Sequence, residues 1–152
     1  MPGIETKDFI WVGVVAIGHG IQLVRDASEV GKYRRKYKIS PPIMDGPPDF
    51  LRALRAQQNN IEFGIPFQIT LWTAAIFANQ VPAAILGTIY LYARRNYSKG
   101  YIEAADKRVT PFWQSIWALK GLVVVGVAGI VNTGLREYAG LDLVARLREV
   151  AF

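Results

Sequence analysis

Two sets of polar side chains carry spacings that suit chemistry. Arg55, Asn59 and Glu62 recur at i, i+4 and i+7, so they share one face of a helix. Arg94, Tyr97, Tyr101 and Arg108 follow at steps of 3, 4 and 7, which predicts a second shared face on the next helix. Facing one another, the stripes offer guanidinium groups, a carboxylate, an amide and two phenols. Arginine suits bidentate recognition of a carboxylate, and Glu62 suits an ammonium group. The set complements a zwitterionic ligand with more than one carboxylate. A further arginine beside such a ligand would favour the ionised form of a thiol.

Each residue has a plainer alternative. Arginine and tyrosine at the ends of membrane spans often anchor at headgroups, which suits Arg95 and Lys99 and competes for Tyr97. For Glu62 the alternative is an ion pair with Arg55. His19, between Gly18 and Gly20, is read as a helix-contact residue rather than a proton relay. Lys120 either lines a pocket, snorkels or meets a second subunit. Trp11, Trp72 and Trp117 read as belt or packing residues. Trp113 is read as a lipid-substrate contact, because it follows Arg108 by about a turn and a half.

The elements that must position these groups are membrane-length. Of the 152 residues 51% are hydrophobic, and mean hydropathy is +0.18. Phe9–Val24 is nearly uncharged, Phe63–Tyr92 has no charge, and Pro111–Leu135 holds only Lys120. These stretches predict transmembrane helices. The middle one is too long for one span, and Asn79-Gln80-Val81-Pro82 marks a turn inside it. The expected fold is therefore all-α, an integral membrane four-helix bundle in one domain, 1–152. Its helices are predicted at about 7–37, 49–79, 82–108 and 111–135, with an amphipathic tail over 136–152. Ser40-Pro41-Pro42 ends the first helix, and Asp49 is the expected cap of the second. Pro66 removes a donor inside the second helix and frees the Glu62 carbonyl. In the tail, Leu141, Val144 and Leu147 alternate with Arg146 and Arg148, a membrane-surface pattern.

Charge sets the expected orientation. The net charge is +6. Arg25, Lys32, Arg34, Arg35, Lys36, Lys38, Arg52 and Arg55 cluster in one loop region, and Arg94, Arg95, Lys99, Lys107 and Arg108 in another. The positive-inside rule makes that side cytosolic. Basic residues flanking apolar spans argue against a nucleic-acid partner. The flank Glu5-Thr6-Lys7-Asp8 does not read as a signal peptide, so the first span is expected to be retained. Zero cysteines exclude disulfides, thiolate zinc sites and a protein thiol nucleophile. Asn96-Tyr97-Ser98 matches a glycosylation sequon that this topology would keep unused.

Longer motifs now come into view: Ser40-Pro41-Pro42, Gly46-Pro47-Pro48-Asp49-Phe50, the run Arg55-Ala56-Gln57-Gln58-Asn59-Asn60-Ile61-Glu62-Phe63, and Tyr97-x-x-Gly100-Tyr101 followed by Arg108. In order, spacing and type they resemble the MAPEG family of integral membrane eicosanoid and glutathione proteins. The motifs are nearest its branch of type 2 microsomal glutathione transferases and leukotriene C4 synthases. The resemblance implies a homotrimer in the endoplasmic reticulum or a related internal membrane. It implies glutathione as co-substrate, bound between subunits near the cytosolic face, and no metal. The partners it implies are glutathione, membrane lipids, and a lipophilic electrophile or lipid hydroperoxide. By matching position, Arg34, Arg55, Gln57, Asn59, Glu62, Arg94, Tyr97 and Tyr101 would bind glutathione. Arg108 would hold the thiolate, with Arg35 assisting. Phe63, a tyrosine in leukotriene C4 synthase, and Lys120, a tryptophan there, depart from that enzyme's pattern. The activity the resemblance implies is membrane glutathione S-transfer to lipophilic electrophiles, extending to leukotriene C4 synthesis and to peroxidase activity on lipid hydroperoxides. The alternatives are a non-catalytic lipid adaptor like the 5-lipoxygenase-activating protein, or a small channel using His19 and Glu62.

Overall fold

In the computed structural model, residues 5–143 and 146 are described. Among them, four α-helices and two short 3-10 turns make up the regular structure: α1 (Ile10–Tyr37), α2 (Pro48–Phe77), α3 (Gln80–Glu103) and α4 (Val109–Ala139), with the turns at Thr6–Phe9 and Asp106–Arg108. The central pair is α2 and α3; α1 packs on both, and so does α4. The expected tail pattern falls mostly outside the described residues.

Local chemistry explains the element ends. After α1, Lys38 takes a left-handed conformation (φ 54°), and the Ile39 N–H donates to the Arg34 carbonyl at 3.0 Å. That closes the last turn and satisfies an orphan carbonyl. Pro48 opens α2, where its missing N–H costs nothing. Asp49 is therefore not the cap but a first-turn residue. Its carboxylate accepts from the Tyr37 hydroxyl at 2.6 Å and from Lys36 Nζ at 3.1 Å, tying α2 to the end of α1. Inside α2, beside the Glu62 carbonyl that Pro66 leaves without its helical donor, the Tyr90 hydroxyl donates to the Phe63 carbonyl at 3.2 Å. The Asn79 side chain caps α3 by accepting the Val81 N–H at 2.8 Å. Helix α3 thus begins at Gln80, two residues before the expected Pro82.

The largest departure lies after α3. The spacing predicts a helix to Arg108, but α3 stops at Glu103 and Ala104 is extended (φ −153°, ψ 144°). Gly100 permits this corner: a Cβ there would lie 2.7 Å from the Lys107 carbonyl oxygen. Helix α4 then starts at Val109 and runs four residues past the expected Leu135, until Gly140 turns left-handed (φ 66°).

Two apolar clusters hold the bundle. One joins Val12, Val15, Phe67, Leu71, Tyr90 and Leu122, with the Phe67 and Tyr90 rings stacked at 4.0 Å. The other, at the basic end, joins Val30, Phe50, Ala53 and Leu54. Helices approach closely at small residues: a Cβ at Gly129 would strike the Phe77 backbone at 2.6 Å. His19 is buried, bonds Gln68 through Nδ1 at 3.0 Å and packs on Phe67, as a helix-contact residue would. Outer faces are apolar: Val14, Ile17, Ile21 and Val24 on α1, and Val124 and Val127 on α4, are all exposed. Exposed apolar faces of this extent belong in lipid. By length and composition two segments, Thr6–Tyr37 and Asp106–Ala139, are apolar enough to cross a bilayer. Four spans were expected. On this measure α2 and α3 fall short, since each holds only half of the charge-free run Phe63–Tyr92 and gives its basic-side half to polar residues.

Candidate functional site

The polar stripes of α2 and α3 meet at the basic end of the bundle. Arg55, Gln58, Asn59 and Glu62 from α2, Tyr97 and Tyr101 from α3, and Arg108 from the corner line a pocket of about 210 Å³. A second cavity of about 310 Å³ lies beside it, lined by Asn59, Tyr97, Arg108, Val109, Phe112 and Trp113. Asn59, Tyr97 and Arg108 are common to both. One side of this wall is rich in charge, the other in aromatic and aliphatic surface. Another cavity, of about 540 Å³ between α1 and α3, is lined by residues including Trp11, Val14, Val81, Ile85, Thr88 and Ile89, with no titratable group in its lining.

Arg108 is not on the face of α3, because α3 has ended before it. The corner instead folds it back, and its guanidinium lies 4.3 Å from the centre of the Tyr101 ring. Such stacking fixes the plane of the cation while leaving N–H donors for a ligand. Arg55 and Glu62 form no ion pair with each other among the described residues; Arg55 reaches Gln58 Oε1 at 3.4 Å instead. Both charges face the pocket.

Arg94 stands behind this wall. It is 2% exposed, stacks on Tyr97 (4.5 Å) and Phe63 (5.1 Å), and is not among the lining residues. Its Nη2 donates to Asn59 Oδ1 at 2.8 Å, while Nε and Nη1 find no partner. The Asn59 oxygen is thereby taken. Its amide NH₂ is left to serve the pockets, so Asn59 acts there as a donor, suited to a carboxylate or carbonyl. In a single chain Arg94 thus reaches the wall through Asn59 rather than lining either pocket itself.

Three other expected residues lie away from the pocket in a single chain. Arg34 donates to the Ile43 carbonyl at 2.7 Å and lies over Phe50. Arg35 and Gln57 are not among the lining residues, whereas Gln58, next to Gln57, is. Trp113 does line the apolar cavity. Phe112, unnoticed in the sequence, is the hub there, with its ring 5.7 Å from Phe63, 6.0 Å from Tyr97 and 5.7 Å from Trp113. Its signal was its place one turn after Arg108. Also unnoticed is a sealed junction of Asp26, Asn60 and Ser98. Asn60 Nδ2 donates to Asp26 Oδ2 and to Ser98 Oγ, and the Ser98 hydroxyl reaches Asp26 Oδ2 at 3.4 Å. All three are at most 4% exposed. Ser98 is also the third residue of the sequon, and it is buried while Asn96, the sequon's acceptor, is half-buried.

Apolar outer faces, two segments apolar enough to cross a bilayer and a charged pocket at the basic end of the bundle are the features of a small helical membrane protein. The comparison with protein families makes this specific: the MAPEG family matches residues 12–129, and the chain belongs to that family. It is 45% identical over 139 residues to microsomal glutathione S-transferase 2 of Homo sapiens, covering 91% of this chain and 95% of the relative. To the same protein of Bos taurus it is 51% identical over 122 residues, covering 80% and 84%. To leukotriene C4 synthase of Bos taurus it is 38% identical over 117 residues, covering 77% and 78%.

Proposed function

We propose that this chain is a membrane glutathione S-transferase that joins glutathione to lipophilic electrophiles. The carrying observation is the shared wall, with Asn59, Tyr97 and Arg108 facing a polar pocket on one side and an apolar cavity on the other. Glutathione carries two carboxylates, an ammonium group and a thiol. Arg55 and the Asn59 NH₂ take carboxylates, Glu62 takes the ammonium, and Arg108 faces the sulfur. A guanidinium beside the thiol, away from bulk water, favours thiolate and releases the proton to solvent. The thiolate then attacks an electrophilic carbon held in the apolar cavity. The C–S bond forms as an epoxide C–O bond breaks, or as an alkene pair shifts to an enolate; the resulting oxyanion or enolate takes a proton from water. Holding both reactants across one wall supplies proximity.

A homotrimer with its sites between subunits fits the same geometry. The polar pocket, at about 210 Å³, is below the roughly 300–1,000 Å³ usual for ligand sites, and Arg34, Arg35 and Gln57 do not reach it in their own chain. A neighbouring copy would supply them. The reading includes an internal membrane such as the endoplasmic reticulum, with the site on the cytosolic side where Lys and Arg cluster. Lipid hydroperoxides enter as substrates through the same thiolate.

Glutathione binding to the detergent-purified protein, with ultraviolet difference absorbance for thiolate, tests this on wild type and Arg108→Ala. Binding with an Arg108-dependent thiolate signal supports the transferase. Binding without it means glutathione is held but not activated. No binding favours the lipid adaptor.

A further inference from the structure

On the α1/α3 side of the bundle, two arginines stand together without a counter-ion. A Cβ at Gly18 of α1 would lie 3.3 Å from Leu91 of α3, and further along both helices Asp26 Oδ2 meets the Ser98 hydroxyl at 3.4 Å. The two helices therefore run parallel, and this register sets Arg25 beside the turn that carries Arg95 and Lys99. The charges of Arg25, Asp26 and Glu29 all act on Arg95. Arg25 is exposed and Arg95 half-buried. Neither joins an ion pair within 4.0 Å among the described residues. The nearby carboxylates are engaged elsewhere: Asp26 by Asn60 and Ser98 inside the junction, and Glu29 by Lys32 at 2.7 Å. Two guanidiniums fixed near one level repel each other and favour an anion between them. Lys99, exposed and one turn after Arg95, adds a third cation. Toward the other end of the bundle the same face turns apolar: Ile21 and Val24 of α1 and Tyr92 of α3 are exposed. The cavity of about 540 Å³ between α1 and α3 follows, lined from Ile89 to Val81 on α3. Those levels lie roughly 9–21 Å from Arg95 along the helix, and one leaflet of hydrocarbon is roughly 15 Å deep.

We propose that Arg25 and Arg95 form a seat for an anionic glycerophospholipid, with its phosphate between the two guanidiniums and one acyl chain running past Tyr92 into the cavity between α1 and α3. The arginine fork presents parallel N–H donors that match a phosphate. The seat is separate from the Arg108 wall, since neither arginine lines either pocket there. Its occupant is a lipid of the leaflet at the basic end. Net charge decides which lipid. A zwitterionic headgroup brings its own ammonium toward the same cations and loses part of the attraction, whereas an anionic headgroup keeps it. A lone arginine that snorkels to the bilayer surface makes no such choice. The buried junction prepares the seat: Asp26 faces inward, and the 100° helical step turns Arg25 outward. The two helices that carry the arginines are thus joined before lipid arrives, which lowers the ordering cost of binding.

The test titrates the delipidated protein in detergent with dioleoyl phosphatidylglycerol, and separately with dioleoyl phosphatidylcholine, counting bound lipid by native mass spectrometry. Wild type is expected to bind the anionic lipid at least about tenfold more tightly. Arg25→Gln combined with Arg95→Gln should bring the two lipids within about twofold of each other. Lys38→Gln, which removes an exposed charge at the end of α1 outside the seat, should keep the preference. Ile85→Trp, which narrows the cavity, should weaken both lipids by a few fold. If the double variant does not fold, Arg25→Gln alone should still cut the preference at least about threefold. No preference in wild type, or one that survives removal of the arginines, overturns the seat. So does a preference that Lys38→Gln lowers as far, which means diffuse surface charge, or an equal loss of both lipids in the double variant, which means plain headgroup anchoring. Unchanged affinities in Ile85→Trp overturn the placing of the chain in the cavity, and the seat as a whole with it.

Discussion

Two polar clusters sit one residue apart on the same two helices and have opposite fates. Asn59 and Tyr97 face the open pockets; Asn60 and Ser98 face inward to Asp26. The 100° step between adjacent helical residues makes the difference. In the closed cluster a carboxylate from α1 accepts from Asn60 of α2 and Ser98 of α3, which ties three helices together, while the Asn60 Oδ1 is buried without a partner. In the open one the donors of Arg108, Arg55 and the Asn59 amide are left for a ligand. Arg94 joins the two, being buried like the first and bonded to the second. Polarity in this bundle is thus divided between groups that join helices and groups that line open pockets.

Removing the proposed thiolate partner from the open cluster should have the largest effect. Arg108→Ala is expected to lower kcat by about 10²–10³-fold, the scale for losing one donor to a developing anion, with glutathione affinity within a few fold. Steady-state conjugation beside equilibrium binding separates the two, and an unchanged kcat would end the division of labour. In the closed cluster the pattern reverses. Asp26→Ala strands the Asn60 and Ser98 donors and should cost about 1–3 kcal/mol of stability, read as a fall in Tm in detergent. Glutathione affinity of the folded fraction should hold. If affinity falls in parallel with stability, the clusters act as one.

Arg94 sharpens the boundary. Its Nε and Nη1 are buried without partners, and replacing such a charge by an apolar side chain of similar size is often neutral or stabilising. Arg94→Met should therefore leave Tm equal or higher. Glutathione KM should rise about tenfold, one hydrogen bond's worth, because the Asn59 amide loses the bond that orients it. A lower Tm with unchanged KM would make Arg94 a strut and nothing more.

The open cluster was largely legible in the sequence, because i, i+4 and i+7 spacing maps directly onto one face of a regular helix. Arg55, Asn59, Glu62, Tyr97 and Tyr101 come together as that rule requires. Arg108 also arrives, but for another reason: periodicity carried α3 through to it, whereas Gly100 lets the chain break and fold back. Arg94 has the right spacing yet points at Asn59, since periodicity fixes a side and not a depth. The closed junction was illegible. Asp26 lies between Arg25 and Glu29 on α1 with nothing local to single it out, and its partners are 34 and 72 residues away. A long-range pairing of that kind leaves no mark in local pattern. Four helices were readable from charge-free runs and turn residues; their ends shifted where caps such as Asn79 acted instead of prolines.

The smallest effect belongs to a third polar contact, the tie between the ends of α1 and α2. The Tyr37 hydroxyl, and after it Lys36, hold the Asp49 carboxyl below its ordinary value of 3.8. A carboxyl depressed on folding adds stability above its unfolded value and loses it as pH falls through the lower, folded one. The tie is exposed and screened, so Asp49→Asn should lower Tm near pH 7 by only about 1–2 °C. That gap should close as the pH drops below the ordinary carboxylate range, and Tyr37→Phe should reproduce part of it. A melting series from pH 7 down to about 3, at fixed ionic strength, reads both. A gap constant across the series would mean that Asp49 acts through its shape alone, and that charge has no part in joining α1 to α2.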